Sequence, residues 1–279
     1  MEKYELLPKQ LLHEGTANES DFIVPDSLEI EKVLSVHSAD YWDRLSNLQL
    51  SDREQRVSGF VHSQELIQRE LCIMEGTRRL AEEALMKKLG FNIAGGTHHA
   101  FVDRGEGFCL LNDQVIAAND LLTQQGIQKI LIIDLDVHQG NGTAAMLQDD
   151  DRVFTFSMHG RNNYPLQKEQ SNLDVELDDG IQDKAYLHLL SEHLDRILSS
   201  FTPEFIFYQC GVDILASDKL GKLGVSMKGC QERDRLVFDA VRQLNVPVVC
   251  TMGGGYSPQI KDIVEAHAQT FRVGMHTIL

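Results

Sequence analysis

The sequence predicts an α/β protein in which helices cover both faces of a central parallel sheet, a three-layered and doubly wound arrangement. Two observations carry this prediction. Short β-prone runs recur at Phe91–Ala94, Lys129–Val137, Val153–Met158, Phe205–Cys210 and Pro247–Met252, with helical patterns between most of them. The runs are continuously apolar more than alternating, as strands covered on both faces are.

The helices follow in order. Leu66, Ile67, Leu71, Met74, Leu80, Ala84 and Leu85 recur at helical spacing ahead of the first run. Asn112 opens a second helix, Asp183 a third, and Ser226 a fourth that ends near Asn245; a last helix follows Pro258. No repeat, low-complexity tract or linker divides the 279 residues, so one domain over residues 1–279 is expected.

Composition narrows the function classes. The formal net charge is −16, from 26 basic and 42 acidic residues. Neutralising phosphates needs a clustered basic surface, so neither nucleic acid nor an anionic membrane is an expected partner. No apolar run approaches the roughly 18 to 20 residues that span a bilayer. The opening MEKYELLPKQ lacks the apolar core of a secretory signal, and a cytoplasmic protein is expected. Cys72, Cys109, Cys210, Cys230 and Cys250 are odd in number and show no CxxC spacing, which reads as reduced thiols.

In parallel α/β sheets, chemistry collects beyond the carboxyl ends of the strands. The first run is followed by GGTHHA, with His98 and His99. The second ends in IIDLDVHQGNG, with Asp134, Asp136 and His138, and the third in Ser157, Met158 and His159. After the fourth comes CGVD, with Asp213; after the fifth comes GGGYS, with Tyr256. Residues spread over most of the chain are thus expected at one sheet edge. At i, i+2 and i+4 of a strand ending, Asp134, Asp136 and His138 share a face. Asp136 and His138, joined by Asp213, offer two carboxylates and one imidazole, a set suited to zinc or another borderline divalent ion with a position left open. The alternative is that the aspartates cap the following helices and the histidine is a satisfied loop residue. Adjacent histidines beside a metal supply a base and an acid near neutral pH, and a phenol at Tyr256 can donate to a developing oxyanion. GGGY alone is equally a tight turn after a strand.

These segments together resemble the histone deacetylase superfamily, the zinc-dependent branch of the arginase/deacetylase fold. The resemblance runs from KYELLPKQLL to the helix after GGGYS, through GGTHHAFVDRGEGFCLLND, IIDLDVHQGNG, GVDILASDKLGKLGVS and MGGGYS. The asparagine of HQGNG and the DILASDKLGKLGVS stretch are similar to the class IV deacetylases and their bacterial relatives. The resemblance implies one zinc ion held by Asp136, His138 and Asp213. It implies His99 as the principal base and then acid, His98 paired with Asp134 as its electrostatic companion, and Tyr256 polarising the scissile carbonyl. It implies Phe108 as a wall of an acyl-lysine channel, with Gly107, Gly254, Tyr164 and Leu220 as further substrate-lining positions. A structural potassium ion is implied at Asp134, Asp136, His138, Ser157 and Met158, and a second, weaker one near Leu147 and Val153. Asn141 stands where class I relatives carry aspartate as partner of the second histidine; a neutral amide orients His99 but stabilises its cation less. Relatives also have a first β-strand and a His-Arg-Phe-Pro loop before the methionine that aligns with Met1; either the sequence begins inside a longer protein, or the chain lacks that edge strand and its channel arginine.

The function that follows is removal of an acetyl or longer acyl group from the ε-amine of lysine in a protein or peptide. The alternatives are a deacetylase of small acylated amines such as acetylpolyamines, and a catalytically silent acyl-lysine binding scaffold. The acidic chain suits a cationic partner of any of these kinds.

Overall fold

The computed structural model describes residues 2–279. Helices α1 (Lys3–Glu14), α2 (Ile30–Leu34), α3 (Ala39–Ser46), α4 (Asp52–Ser58) and α5 (Gln64–Lys87) precede the first strand. Then follow β1 (Leu89–Asn92), α6 (Asp113–Gln124), β2 (Ile130–Asp134), α7 (Asn141–Leu147), β3 (Val153–Gly160) and β4 (Leu173–Leu177). The chain closes with α8 (Asp183–Ser200), β5 (Phe205–Gln209), α9 (Met227–Leu244), β6 (Val248–Thr251) and α10 (Ile260–Ile278). The six strands form one sheet in the order β1-β6-β5-β2-β3-β4, and every pairing is parallel.

Strand periodicity explains the layers. Leu131, Ile133, Ile206 and Tyr208 face one way into a core completed by α8, α9 and α10. Their neighbours Ile130, Ile132, Phe205 and Phe207 face the other way, against α5 and α6. Successive side chains of a strand point to opposite faces, so a strand that is apolar throughout satisfies both layers. Helix starts follow the capping signals. Asn112 Oδ1 accepts from Val115 N at 3.2 Å, and Ser226 Oγ accepts from Gly229 N at 3.0 Å. Asn245 ends α9 in the left-handed region at φ 54°, a conformation asparagine tolerates.

Two strand bounds expected from the sequence are corrected. The first strand lies at Leu89–Asn92 rather than Phe91–Ala94, because Ile93 and Ala94 already form a turn closed by Gly95 N donating to Asn92 O at 3.3 Å. β2 stops at Asp134, three residues short of Val137. Asp183 opens α8 as expected, and its carboxylate accepts from Ser226 N and Oγ at 2.7 and 2.6 Å and ties α8 to α9. β4 was not anticipated: Leu173, Val175 and Leu177 alternate with Asp174 and Glu176, a pattern that an edge strand open on one side permits.

Helices α1 to α4, also unanticipated, pack outside the sheet. Leu7 and Leu11 of α1 are fully buried against Val264, Ala268 and Phe271 of α10. All five cysteines are free. No helix among the described residues is long and apolar enough to cross a membrane. Met1 and the family segment expected before it lie outside the described residues.

Candidate active site

From β2 the chain steps outward to β3 and β4, then returns to β5 on the opposite side of β2. Loops leaving β2 and β5 therefore diverge, which opens the crevice in which such sheets bind ligands. Asp136 and His138 follow β2, Asp213 follows β5, and one ligand atom from each lies within 4.8 Å of the others. Asp136 and His138 stand on the turn beyond the strand, alternating with buried Leu135 and Val137. Asp134, still on the strand, bonds His98 instead, so the expected shared face divides between two tasks.

The three side chains fit a metal ion. Asp213 and Asp136 are buried, yet Asp213 Oδ2 has no hydrogen-bond partner although His138 Nδ1 is 3.2 Å away. The remaining carboxylate oxygens are occupied: Asp213 Oδ1 accepts from Val137 N at 2.9 Å, and Asp136 Oδ2 from Gly254 N at 2.8 Å. A Cβ at Gly254 would collide with Asp213 Oδ2, so only glycine lets this backbone close over the cluster. Burial and the neighbouring Asp136 charge hold the Asp213 carboxyl above its ordinary range. Burial opposes charge on His138, but the two carboxylates outweigh it and lift its pKa to about 10. Buried ligands that retain protons in this way, here Asp213 and His138, bind a divalent cation by releasing them. One nitrogen and two oxygen donors suit zinc.

The histidines beside the cluster differ in state. His98 Nδ1 lies 2.7 Å from Asp134 Oδ2; burial works against its charge, but the carboxylate prevails and raises the pKa to about 9. His99 Nδ1 lies 2.7 Å from Asn141 Oδ1, and burial with the nearby cations His98 and His138 holds it well below 6.5. One imidazole is thus cationic and the next neutral at pH 7. Tyr256 is half-buried on the loop after β6, and burial, followed by the Asp213 and Asp136 charges, pushes its phenol up and keeps it protonated.

These groups share a cavity of about 580 Å³ whose mouth carries Phe60, Phe108 and Leu220. The Phe60 and Phe108 rings meet edge-on at 5.8 Å. Gly107 and Gly254 line the same cavity. Tyr164, expected at the rim, packs edge-on against His99 at 5.1 Å and donates to Glu106 Oε2 at 2.7 Å. Ser157 sits opposite Asp134 in the β2–β3 register, which brings two of the residues expected to hold potassium side by side.

A family model described as the histone deacetylase domain matches residues 1–271. The chain belongs to the histone deacetylase family. An uncharacterized protein of Picosynechococcus sp. is 42% identical over 272 residues, covering 98% of this chain and 91% of that one. Histone deacetylase 2 of Arabidopsis thaliana is 33% identical over 265 residues, 91% of this chain and 68% of that one. An HDAC homolog crystallised in complex with SAHA is 25% identical, with a TM-score of 0.82 over 95% of this chain and 76% of that one. The HDAC homolog from Aquifex aeolicus, 24% identical, shares the fold at a TM-score of 0.84, covering 97% of this chain and 77% of that one.

This histone deacetylase site contains residues that the sequence reading passed over. Lys3 on α1 is buried, donates from Nζ to Gly253 O at 3.1 Å, and lies 5.4 Å from the Tyr256 ring centroid. Asp218 Oδ2 accepts from Tyr256 N at 2.6 Å, so the tyrosine loop is pinned at both ends. Lys3 sits in a helix with no chemical signature. Glu106, by contrast, lies inside the quoted GEGFC motif, where its carboxylate could have been noticed.

Proposed function

We propose that this chain is a zinc-dependent amidohydrolase that removes an acetyl or longer acyl group from the ε-amine of lysine in proteins or peptides. It acts as a single catalytic domain over residues 1–279, similar to the class IV deacetylases. The supporting observation is that Asp136, His138 and Asp213 open on the same cavity as His99 and Tyr256.

Zinc held by Asp136, His138 and Asp213 would polarise the amide oxygen and make a water acidic enough to attack near neutral pH. His99, neutral at pH 7, takes the proton of the attacking water and returns it to the leaving lysine amine. Asn141 Oδ1 holds His99 Nδ1 as a donor, which leaves Nε2 free as the base. Tyr256 donates to the amide oxygen as that oxygen gains negative charge. His98, kept cationic by Asp134, adds positive potential beside the reacting centre. At the mouth, Phe60 and Phe108 flank the methylenes of the substrate lysine. A potassium ion at Asp134, Asp136, His138, Ser157 and Met158 would brace the strand ends behind the site, with a second site near Leu147 and Val153.

The deciding experiment compares zinc-loaded protein on an acetyl-lysine peptide, an acetylpolyamine and a long-chain acyl-lysine peptide. Acid release fastest from an acyl-lysine peptide is expected. Faster release from the acetylpolyamine would reassign the substrate, and zinc uptake without release from any substrate would mark a binding scaffold.

A further inference from the structure

His99 faces an amide, and an amide can turn either end toward a neighbour. Which end it presents is decided by its other contacts. Asn141 is buried, and its Nδ2 lies 3.3 Å from Glu106 Oε2. A carboxylate accepts only, so Glu106 draws the NH₂ end toward itself and leaves Oδ1 for His99. The backbone is shaped to deliver that carboxylate: Gly107 and Phe108 both have positive φ, 53° and 65°. Phe108, a non-glycine residue in the left-handed region, is held there by donating from its N to Ser58 O at 2.8 Å. The turn sends the phenylalanine to the cavity mouth and the preceding glutamate back over Asn141. Glu106 is fixed further by the Tyr164 hydroxyl at 2.7 Å and by Arg104 Nε at 2.8 Å. Arg104 is 44% exposed, so water screens much of its effect on the carboxylate.

We propose that Glu106 is a positioning residue for the reaction: it orients and polarises Asn141, fixes His99 with the proton on Nδ1, and supplies from one residue farther out the negative charge that steadies the imidazolium during turnover. The claim about turnover rests on the deacylase reading above; the claim about the His99 tautomer does not.

The test is a charge exchange. Glu106→Gln keeps the side-chain length but removes the charge and the strict acceptor, and kcat should fall about tenfold with little change in KM. Asn141→Asp alone places two carboxylates against each other and should also lower kcat. The double variant Glu106→Gln/Asn141→Asp restores one carboxylate and one amide in line, and should return to within about threefold of the wild type. Losses that multiply in the double variant would overturn the proposal. Independently of any turnover, the ¹⁵N shifts of His99 should report a single Nδ1-protonated form in the wild type and a mixture in Glu106→Gln. An unchanged tautomer in Glu106→Gln would overturn the orienting role even in a fully active enzyme. Absence of activity with a clean tautomer change would instead fault the deacylase reading alone.

Discussion

The His98 and His99 rings stand 4.1 Å apart at their centroids, and they are bound to opposite kinds of partner, an aspartate and an asparagine. Two adjacent imidazoles repel each other when both are charged, so the difference in partners decides which one carries the proton. At pH 7 His98 is the cation and His99 is neutral, the state the proposed base requires. His99→Ala should therefore lower kcat by about 10³ and His98→Ala by about tenfold, within the range of general acid–base effects. Zinc content of both variants serves as the control. A larger loss from His98→Ala would reverse the assignment.

In the proposed mechanism Tyr256 donates a hydrogen bond that strengthens as the amide oxygen gains charge. Tyr256→Phe should lower kcat by roughly 10² to 10³, the usual cost of losing one oxyanion donor. KM and bound zinc should stay near wild-type values. Full activity in this variant would remove the phenol from the mechanism.

Glu70 of α5 is 2% exposed, and its Oε2 has no partner. Burial raises its pKa from 4.5 to about 7, and Arg69 offsets only part of that rise. The raised folded value means that the neutral acid suits the fold. Its stabilisation is present below pH 4.5, declines as pH rises through about 7, and is absent above that. Replacing it by a neutral amide should thus help most at high pH. Glu70→Gln should gain on the wild type by up to about 3 kcal/mol at pH 8, with the gap closing toward pH 4.5. Urea unfolding at both pH values measures this, and a gap that widens toward acid would contradict it.

Arg233 and Asp234 form a fully buried ion pair at 2.8 Å. Arg233 also donates to Gly211 O and Cys210 O, at 2.5 and 3.3 Å, on the segment that leads into Asp213. Removing the cation strands a charge in the core. Arg233→Met should destabilise by about 3 to 5 kcal/mol, and Arg233→Met/Asp234→Asn by less. Denaturant midpoints give both values; equal losses would show that the unpaired aspartate is not the cause.

The sequence exposed the parts of this molecule that rest on local rules. Continuous apolar runs located five of the six strands, and Asn112 and Ser226 marked the helices they cap. The rule that ligands gather at strand carboxyl ends brought Asp136, His138 and Asp213 together before any coordinates did. Elements that depend on distant partners stayed hidden. β4 alternates because it is an edge, and its apolar residues are too few to stand out. α1 is held mainly by α10, more than 200 residues away, so nothing local announces Lys3 as a neighbour of Tyr256. Glu106 was visible as a residue, but its reach to Asn141 depends on two successive left-handed residues that sequence does not reveal.

In the proposed mechanism Asp136, His138 and Asp213 hold a zinc ion on which deacylation depends. The most direct measurement strips the protein with chelator and titrates zinc back while following acid release from an acetyl-lysine peptide. Tight uptake of one zinc per chain is expected, with activity rising in proportion and both lost in Asp136→Ala. Full activity in the stripped protein, or tight zinc uptake that survives Asp136→Ala, would contradict it.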